Sequence, residues 1–179
     1  RRDQLPDQHL IWAQRREMVT FRTFQTQDSP AVRDLFARGL ADFAAGYEVQ
    51  VDRYIQQSLD DDLADIDLHY LASPDDYFWV ADIDGAVKGM VGVQRRSDEE
   101  AELRRMSVAS DARRQGIGLG LLETLEAFCR EKGHRRIALT TVTFLVAAIP
   151  MYERFGFRLV GEEPYGLISA QHYVKELGP

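Results

Sequence analysis

The stretch RRQGIGLG, Arg113 to Gly120, sets three alternating glycines ahead of a long apolar run, with two arginines and a glutamine leading in. Glycine inside a helix costs about 1 kcal/mol relative to alanine, so three of them at a helix start point to a use for bare backbone. The N–H groups of a first helical turn have no partner within the helix, and the helix dipole adds partial positive charge there. Glycine lets an anion reach those amides with no side chain in the way. Phosphate is therefore the ligand chemistry the stretch suggests, with Arg113 and Arg114 adding charge. It is not a P-loop, because Leu119-Gly120 stands where Gly-Lys-Ser/Thr would close the motif. Nor is it a dinucleotide fingerprint: Leu121 holds the place of the third glycine, and the next strand ends in threonines instead of an acid. A glycine-rich connection that binds nothing stays open.

Other reactive side chains fit ordinary structural roles. Cys129 shares a helical face with Leu121, Leu122, Leu125 and Phe128, which marks it as a core thiol. His9, His69, His134 and His172 show no metal-ligand spacing, so no metal is expected. Asp60, Asp61, Asp62, Asp65 and Asp67 read as a solvated face opposite the stripe Ile55, Leu59, Leu63 and Ile66.

The elements that must hold the glycine turn follow from periodicity. VTFRTF, from Val19 to Phe24, alternates as a half-buried strand does. A helix follows, with Asp28 or Ser29 able to cap it, Pro30 in its first turn, and Val32, Leu35, Phe36, Leu40 and Phe43 on one face. A second helix is expected from Val51. Tyr77–Asp82 and Ala86–Gln94 read as a hairpin turning at Asp84-Gly85, and Glu102–Val108 adds a third strand. After the glycines, Leu119 to Lys132 reads as a helix that Gly133 stops. Arg136–Val142 is a strand, Val146–Phe155 a helix, and Phe157–Val160 and His172–Leu177 are strands. The order is α+β, in one domain.

The 179 residues suit one domain with a full core, and 45% hydrophobic with 28% charged residues is a soluble globular composition. A net charge of -7 argues against a nucleic-acid partner, which would call for a basic surface. One cysteine excludes a disulfide framework and favours a reducing, cytoplasmic setting. No apolar stretch is long enough to span a bilayer and no signal peptide is visible, so no membrane partner is expected. Residues 1–17 are polar and irregular and read as an N-terminal extension to a domain over 18–179.

ELRRMSV, RRQGIG, an apolar helix and then MYERFGF about thirty residues on together resemble the Gcn5-related N-acetyltransferases (GNAT). Arg113, Gly116 and Gly118 match the family's R/Q-x-x-G-x-G/A motif, and Tyr152, Gly156 and Phe157 its second motif. FWVADIDGAVKGMVGV, ELRRMSV and RRQGIG are most similar to the camello-like branch, which includes cysteine-conjugate and aspartate acetyltransferases. The membrane hairpin common in that branch is not matched by GYEVQVDRYIQQSLDDDLADI, so membrane attachment does not carry over.

The resemblance implies a mostly antiparallel mixed sheet flanked by helices, two of whose strands splay to admit acetyl-CoA. It puts the pyrophosphate on Arg113, Arg114, Gln115, Gly116, Ile117, Gly118, Leu119 and Gly120, and the pantetheine arm along Met106, Ser107 and Val108. Tyr152 falls at the general-acid position; packing its ring into the core is the alternative. Glu102 aligns with a base, sharing a strand face with Arg104 and Met106, though a solvated carboxylate or a water relay serves equally. Leu145 stands where many members carry an asparagine that contacts pantetheine. The implied reaction moves acetyl from acetyl-CoA to a primary amine on a small, amino-acid-like molecule or a protein. Phe43, Tyr47 and Tyr54 are candidate acceptor-pocket residues. A longer acyl donor, a silent CoA-binding regulatory module and a homodimer all stay open.

Overall fold

A seven-stranded sheet in the order β1-β2-β3-β4-β5-β7-β6 organises the computed structural model, which describes residues 19–166 and 168–178. The expected extension at 1–17 lies outside the described residues. Strand β1 (Val19–Thr23) lies antiparallel to β2 (Tyr77–Ile83). The chain then turns at Asp84-Gly85 into β3 (Ala86–Arg95), with φ of 53° and 84° at the two turn residues. Positive φ at both positions is what a two-residue hairpin matching the strand twist requires, and Asp-Gly supplies it. Strand β4 (Glu100–Val108) continues the meander. Strand β5 (Arg136–Val142) pairs with β4 in parallel, the one parallel rung set among the described strands. The hairpin β6 (Arg158–Tyr165) and β7 (Ile168–Glu176) completes the sheet, with β7 against β5.

Helices α1 (Ser29–Ala41) and α2 (Glu48–Asp60) cover one sheet face. Their stripe of Val32, Leu35, Phe36, Leu40, Val51 and Ile55 packs on Phe78, Val80 and Met90. Helix α3 (Ile117–Glu131) covers the other face, burying Ile117, Leu121, Leu122, Leu125 and Cys129 against Trp79, Ala81, Val91 and Val93. A short helix α4 (Ile149–Arg154) joins this second core through Tyr152. Alternate residues of β2 serve the two cores, which is the period-two pattern of a sheet covered on both sides. No helix among the described residues is long and apolar enough to cross a membrane.

Several boundaries differ from the sequence-based expectation. Helix α2 begins at Glu48 and ends at Asp60, so Leu63 and Ile66, both buried, sit on the turn beyond it. That turn leads into a single π-helical turn at Asp67–Leu71. Helix α4 is shorter than expected, since Val146 stays exposed, and β6 and β7 are longer. Asp28 stands at the N-cap of α1 but makes no capping bond. Its carboxylate instead accepts from the Gln25 N–H at 2.8 Å and from Arg22 of β1.

Helix α3 presses closely on the sheet. A Cβ at Gly89 of β3 would lie 2.9 Å from Ile117 Cγ2, and one at Gly120 would lie 2.2 Å from Phe21 Cζ. Gly120→Ala is therefore expected to lower stability by about 1–3 kcal/mol, the usual cost of overpacking. Denaturant unfolding checks this. Adding Phe21→Leu should recover part of the loss, because the two positions share one contact.

Candidate active site

Strands β4 and β5 are hydrogen-bonded only from Glu100–Glu102 to Arg136–Ala138. Beyond Glu102 and Ala138 they part, although β4 runs on to Val108 and β5 to Val142. The result is a fork whose facing edges carry unpaired backbone groups. A bulge in β4 accompanies the split: the β3–β4 register jumps between Met90 and Gly92, and Arg105 takes φ 55°. A left-handed backbone costs a non-glycine residue roughly 1–2 kcal/mol, so the surrounding contacts must impose it.

The bulge also reverses side-chain alternation. Ala101, Leu103, Met106 and Val108 pack toward α3. Arg105 turns toward α2, and Ser107 Oγ donates to Leu35 O of α1 at 3.4 Å. The expectation that Glu102, Arg104 and Met106 share a face is thus corrected: Met106 lies on the opposite face from Glu102. One extra residue in the strand resets the period.

Arg105 is held by a buried carboxylate, Asp62, that the acidic run had suggested faces solvent. Asp62, 2% exposed, accepts from Arg105 Nε at 2.9 Å and Nη2 at 2.5 Å, and also from the Tyr70 hydroxyl. Arg105 Nη1 donates to Ser58 Oγ at 2.8 Å and Tyr54 Oη at 2.9 Å, with its guanidinium over the Phe36 ring at 5.2 Å. Burial opposes the Asp62 charge, but Arg105 and Tyr70 outweigh it and hold the carboxyl below the usual carboxylate range. Burial and then the Asp62 charge push the Tyr70 phenol well above its ordinary value. Asp62 is therefore not part of a solvated acidic face. Its signal was the spacing Val51, Ile55, Ser58, Asp62, which continues the buried stripe of α2.

The glycine turn enters α3 just past β4. Gly116 caps the helix at φ 77° with open space where a Cβ would sit. The first-turn amides of Ile117, Gly118 and Leu119 have no acceptor within the helix, whereas Gly120 N–H bonds Gly116 O at 3.0 Å. The Ile117 side chain is buried, so only its backbone faces outward. Arg114 is exposed at φ 59° and has no ion-pair partner among the described residues. Gln115 Nε2 donates to Asp111 O at 2.9 Å. Arg113 is already engaged: Nη2 donates to Asp42 at 2.8 Å and Nε to Val108 O at 3.1 Å, and its guanidinium lies 5.0 Å over Phe43. It staples α1 to the turn. The bare face of Gly120 packs on Phe21, so that glycine answers packing.

Gly118 marks where the parts converge. A Cβ there would meet Met151 Sδ at 2.7 Å and Met106 Cε at 3.6 Å, so α3, α4 and the far arm of β4 meet at one point. Tyr152 follows Met151 and is 6% exposed, its ring edge-on to Phe157 at 5.8 Å. Its hydroxyl has no hydrogen-bond partner among the described residues, and burial alone pushes the phenol well above its ordinary value. Such a phenol keeps its proton at neutral pH.

Glu102 stands at the last paired rung, with Oε2 3.5 Å from Arg96 Nε. Arg104, two residues on, donates to Gln94 Oε1 at 2.6 Å. Tyr47 stacks on Phe144 at 5.8 Å, joining the α1–α2 connection to the segment after β5. Leu145 packs with Phe144 against the α1–α2 core and offers no polar contact to the fork. Cys129 is fully buried, and desolvation pushes its thiol up to about 12, as a core thiol requires. Among the described residues no three His, Cys, Asp or Glu side chains gather as a metal site. A hollow of about 780 Å³ beside Tyr77, Trp79 and Phe128 lies along the C-terminal half of α3 and includes no residue of the fork.

Comparison with known proteins gives a consistent result. The chain matches the family described as Acetyltransferase (GNAT) family over residues 43–157. It is 36% identical over 124 residues to the probable N-acetyltransferase camello of Xenopus laevis, spanning 67% of this chain and 57% of that protein. It is 40% identical over 116 residues to N-acetylaspartate synthetase of Danio rerio, spanning 64% of this chain and 41% of that protein. The chain thus spans about half the length of the curated relatives it matches. Among solved structures, the PaiA N-acetyltransferase of Thermoplasma acidophilum in complex with coenzyme A aligns with a TM-score of 0.77 at 18% identity. That alignment covers 88% of this chain and 98% of that one. A GNAT-family acetyltransferase of Staphylococcus aureus aligns at 0.74 and 22% identity, over 89% and 99% of the two chains. At those identities the likeness is one of fold.

The buried pair at the bulge yields a prediction. Asp62→Asn leaves the Arg105 cation buried without its counter-charge and should destabilise the chain by about 3–5 kcal/mol at neutral pH. The Asp62 carboxyl is lower in the folded state than the unfolded value of about 3.9. Its contribution is therefore present above that value and lost as pH falls through the folded one. Urea unfolding of both proteins should show the gap closing in acid; a gap independent of pH would detach Asp62 from Arg105.

Proposed function

The chain belongs to the GNAT acetyltransferase family, and from that premise we propose that it moves an acetyl group from acetyl-CoA to a primary amine by direct attack, with no acyl-enzyme intermediate. The observation that carries the reading is the convergence at Gly118, where the unpaired first turn of α3, the free arm of β4 and the segment bearing Tyr152 meet. The open amides of Ile117, Gly118 and Leu119 suit a pyrophosphate, with Arg114 as the available cation. The unpaired β4 edge over Met106, Ser107 and Val108 suits an amide-rich arm that pairs as an added strand does.

The groups divide the chemistry between them. The amine nitrogen must be neutral to attack, and the carbon–sulfur bond breaks as the carbon–nitrogen bond forms. Tyr152 keeps its proton at neutral pH and is the candidate donor as charge builds on the departing sulfur. A thiol of pKa near ~8.5 leaves tolerably on its own, so this acid assists without being indispensable. Glu102, at the root of the fork, or a bound water would take the amine's proton. One relative is named N-acetylaspartate synthetase, which puts amino-acid amines first among acceptors to screen. The lone buried Cys129 supports a reducing, cytoplasmic setting. The apolar Leu145 favours a second reading, a module that binds CoA without transferring acetyl.

Two measurements separate these readings. Coenzyme A should raise the melting temperature, by the equivalent of about 2.7 kcal/mol at a hundred times Kd, while pantetheine lacking phosphates should do so much less. Gly116→Asp meets no neighbour, though its φ of 77° strains any side chain; it should lose that shift, since its carboxylate repels phosphate, while the equally strained but uncharged Gly116→Asn keeps more of it. Equal stabilisation by both compounds would remove the glycine turn from the site.

For turnover, Tyr152→Phe should lower kcat by about 10²–10⁴ with little change in KM for acetyl-CoA. Thiol release measured against an amine panel reads this. Binding of coenzyme A with no transfer to any amine would support the silent module.

A further inference from the structure

Behind the β5 wall of the fork stands a line of three polar side chains that the reading above does not use. Thr140 lies two residues past Ala138, the last rung shared with Glu102, and therefore on the same sheet face as Glu102 and Arg104. On β7, His172 is its direct partner in the register, and Thr140 Oγ1 is 3.0 Å from His172 Nδ1. His172 Nε2 is in turn 3.1 Å from Glu163 Oε1 of β6. Gly161 lies opposite His172, with the ring at ordinary contact distance: a Cβ there would sit 3.6 Å from His172 Cδ2. The remaining described histidines lack such partners, and both ring nitrogens of buried His134 are unbonded.

The partners of the ring assign its tautomer. An ionised Glu163 can only accept, so His172 Nε2 carries the hydrogen and Nδ1 is left as an acceptor for the Thr140 hydroxyl. We propose that Thr140, His172 and Glu163 form the route by which the attacking amine loses its proton. This rests on the acetyl-transfer reading. The amine's proton passes to Thr140 Oγ1 as Thr140's own hydroxyl proton passes to His172 Nδ1. The imidazolium so formed is held by Glu163 and returns the proton to solvent, to which His172 is 38% exposed.

Helices α1 and α2 pack over the N-terminal strands on this face, which leaves Thr140 and Glu163 exposed. Glu163 is the charged group touching the ring. Arg158, opposite Val174 on β6, is next along the face, and Arg104 and Glu102 stand across the fork. Glu102 already has the Arg96 guanidinium at 3.5 Å, whereas the Thr140 side chain is exposed on the same face, beyond the last rung that β4 and β5 share.

The test is thiol release from acetyl-CoA with primary amines of graded basicity, followed across the imidazole titration range for wild type, His172→Gln, Thr140→Val and Glu102→Gln. His172→Gln should lower kcat/KM by about 10²–10⁴ and remove the low-pH limb, with the stabilisation by acetyl-CoA kept. The loss should shrink toward the least basic amines, which are neutral without help. Thr140→Val should act in the same direction. Nitrogen-15 spectra of the wild-type imidazole should show the Nε2–H tautomer, and Glu163→Ala should disperse it. A His172→Gln enzyme with the wild-type pH profile, or one reduced equally at every pH and with every amine, overturns the relay. The same holds if Glu102→Gln alone removes the low-pH limb. A wild type that binds acetyl-CoA but acetylates no amine overturns the relay and the transfer together, whereas failure to bind acetyl-CoA defeats the cofactor reading.

Discussion

The buried ion pair of Asp62 and Arg105 is the constraint from which the site follows. Arg105 occupies a left-handed backbone conformation in the middle of a strand, which a side chain of its kind does not adopt without compensation. Its guanidinium reaches from β4 to Asp62 on the turn after α2, forty-three residues earlier, and is met as well by two hydroxyls of α2 and by the rings of Phe36 and Tyr54. Either charge alone would be expensive to bury, and together with Tyr70 they satisfy each other. The backbone can then hold a bulge where a straight strand would have gone on pairing with β5.

The bulge has two consequences for function. It accompanies the parting of β4 from β5, so that a sheet otherwise hydrogen-bonded throughout has an opening at its middle. It also sends Met106 and Val108 toward α3 while Arg104 and Arg105 face α1 and α2. The far arm of β4 thereby meets the glycine turn on one face of the sheet, and the polar surface around the fork stays on the other. A donor held on the α3 side and an acceptor arriving from the polar side would meet in the gap between them.

Rigid packing around the glycine turn keeps its amides in place. Gly89 and Gly120 let α3 lie close on the sheet, and Arg113 ties the end of α1 to the same turn through Asp42 and Phe43. Bare backbone therefore serves two ends within eight residues. At Gly116 it leaves the helix start open, and at Gly118 and Gly120 it allows close contact with Met151 and Phe21.

Local, one-dimensional signals were enough for much of this. Alternation, helical stripes and the Asp84-Gly85 turn announced every long element, though α2 ends before the Leu63 and Ile66 expected on it and β6 and β7 run longer, and the spacing around Cys129 put it in the core. Glycines before an apolar run marked the helix start, and the ordered pair of motifs pointed to Tyr152. Tertiary structure alone decided what depends on a distant partner. A bulge is set by how one strand registers against another, so the period of β4 could not announce that Glu102 and Met106 lie on opposite faces. Whether an aspartate in an acidic run meets water or a guanidinium depends on a residue far along the chain, as with Asp62 and Arg105. Thr140, His172 and Glu163 come from three strands whose order in the sheet is not their order in sequence, so no spacing could have joined them.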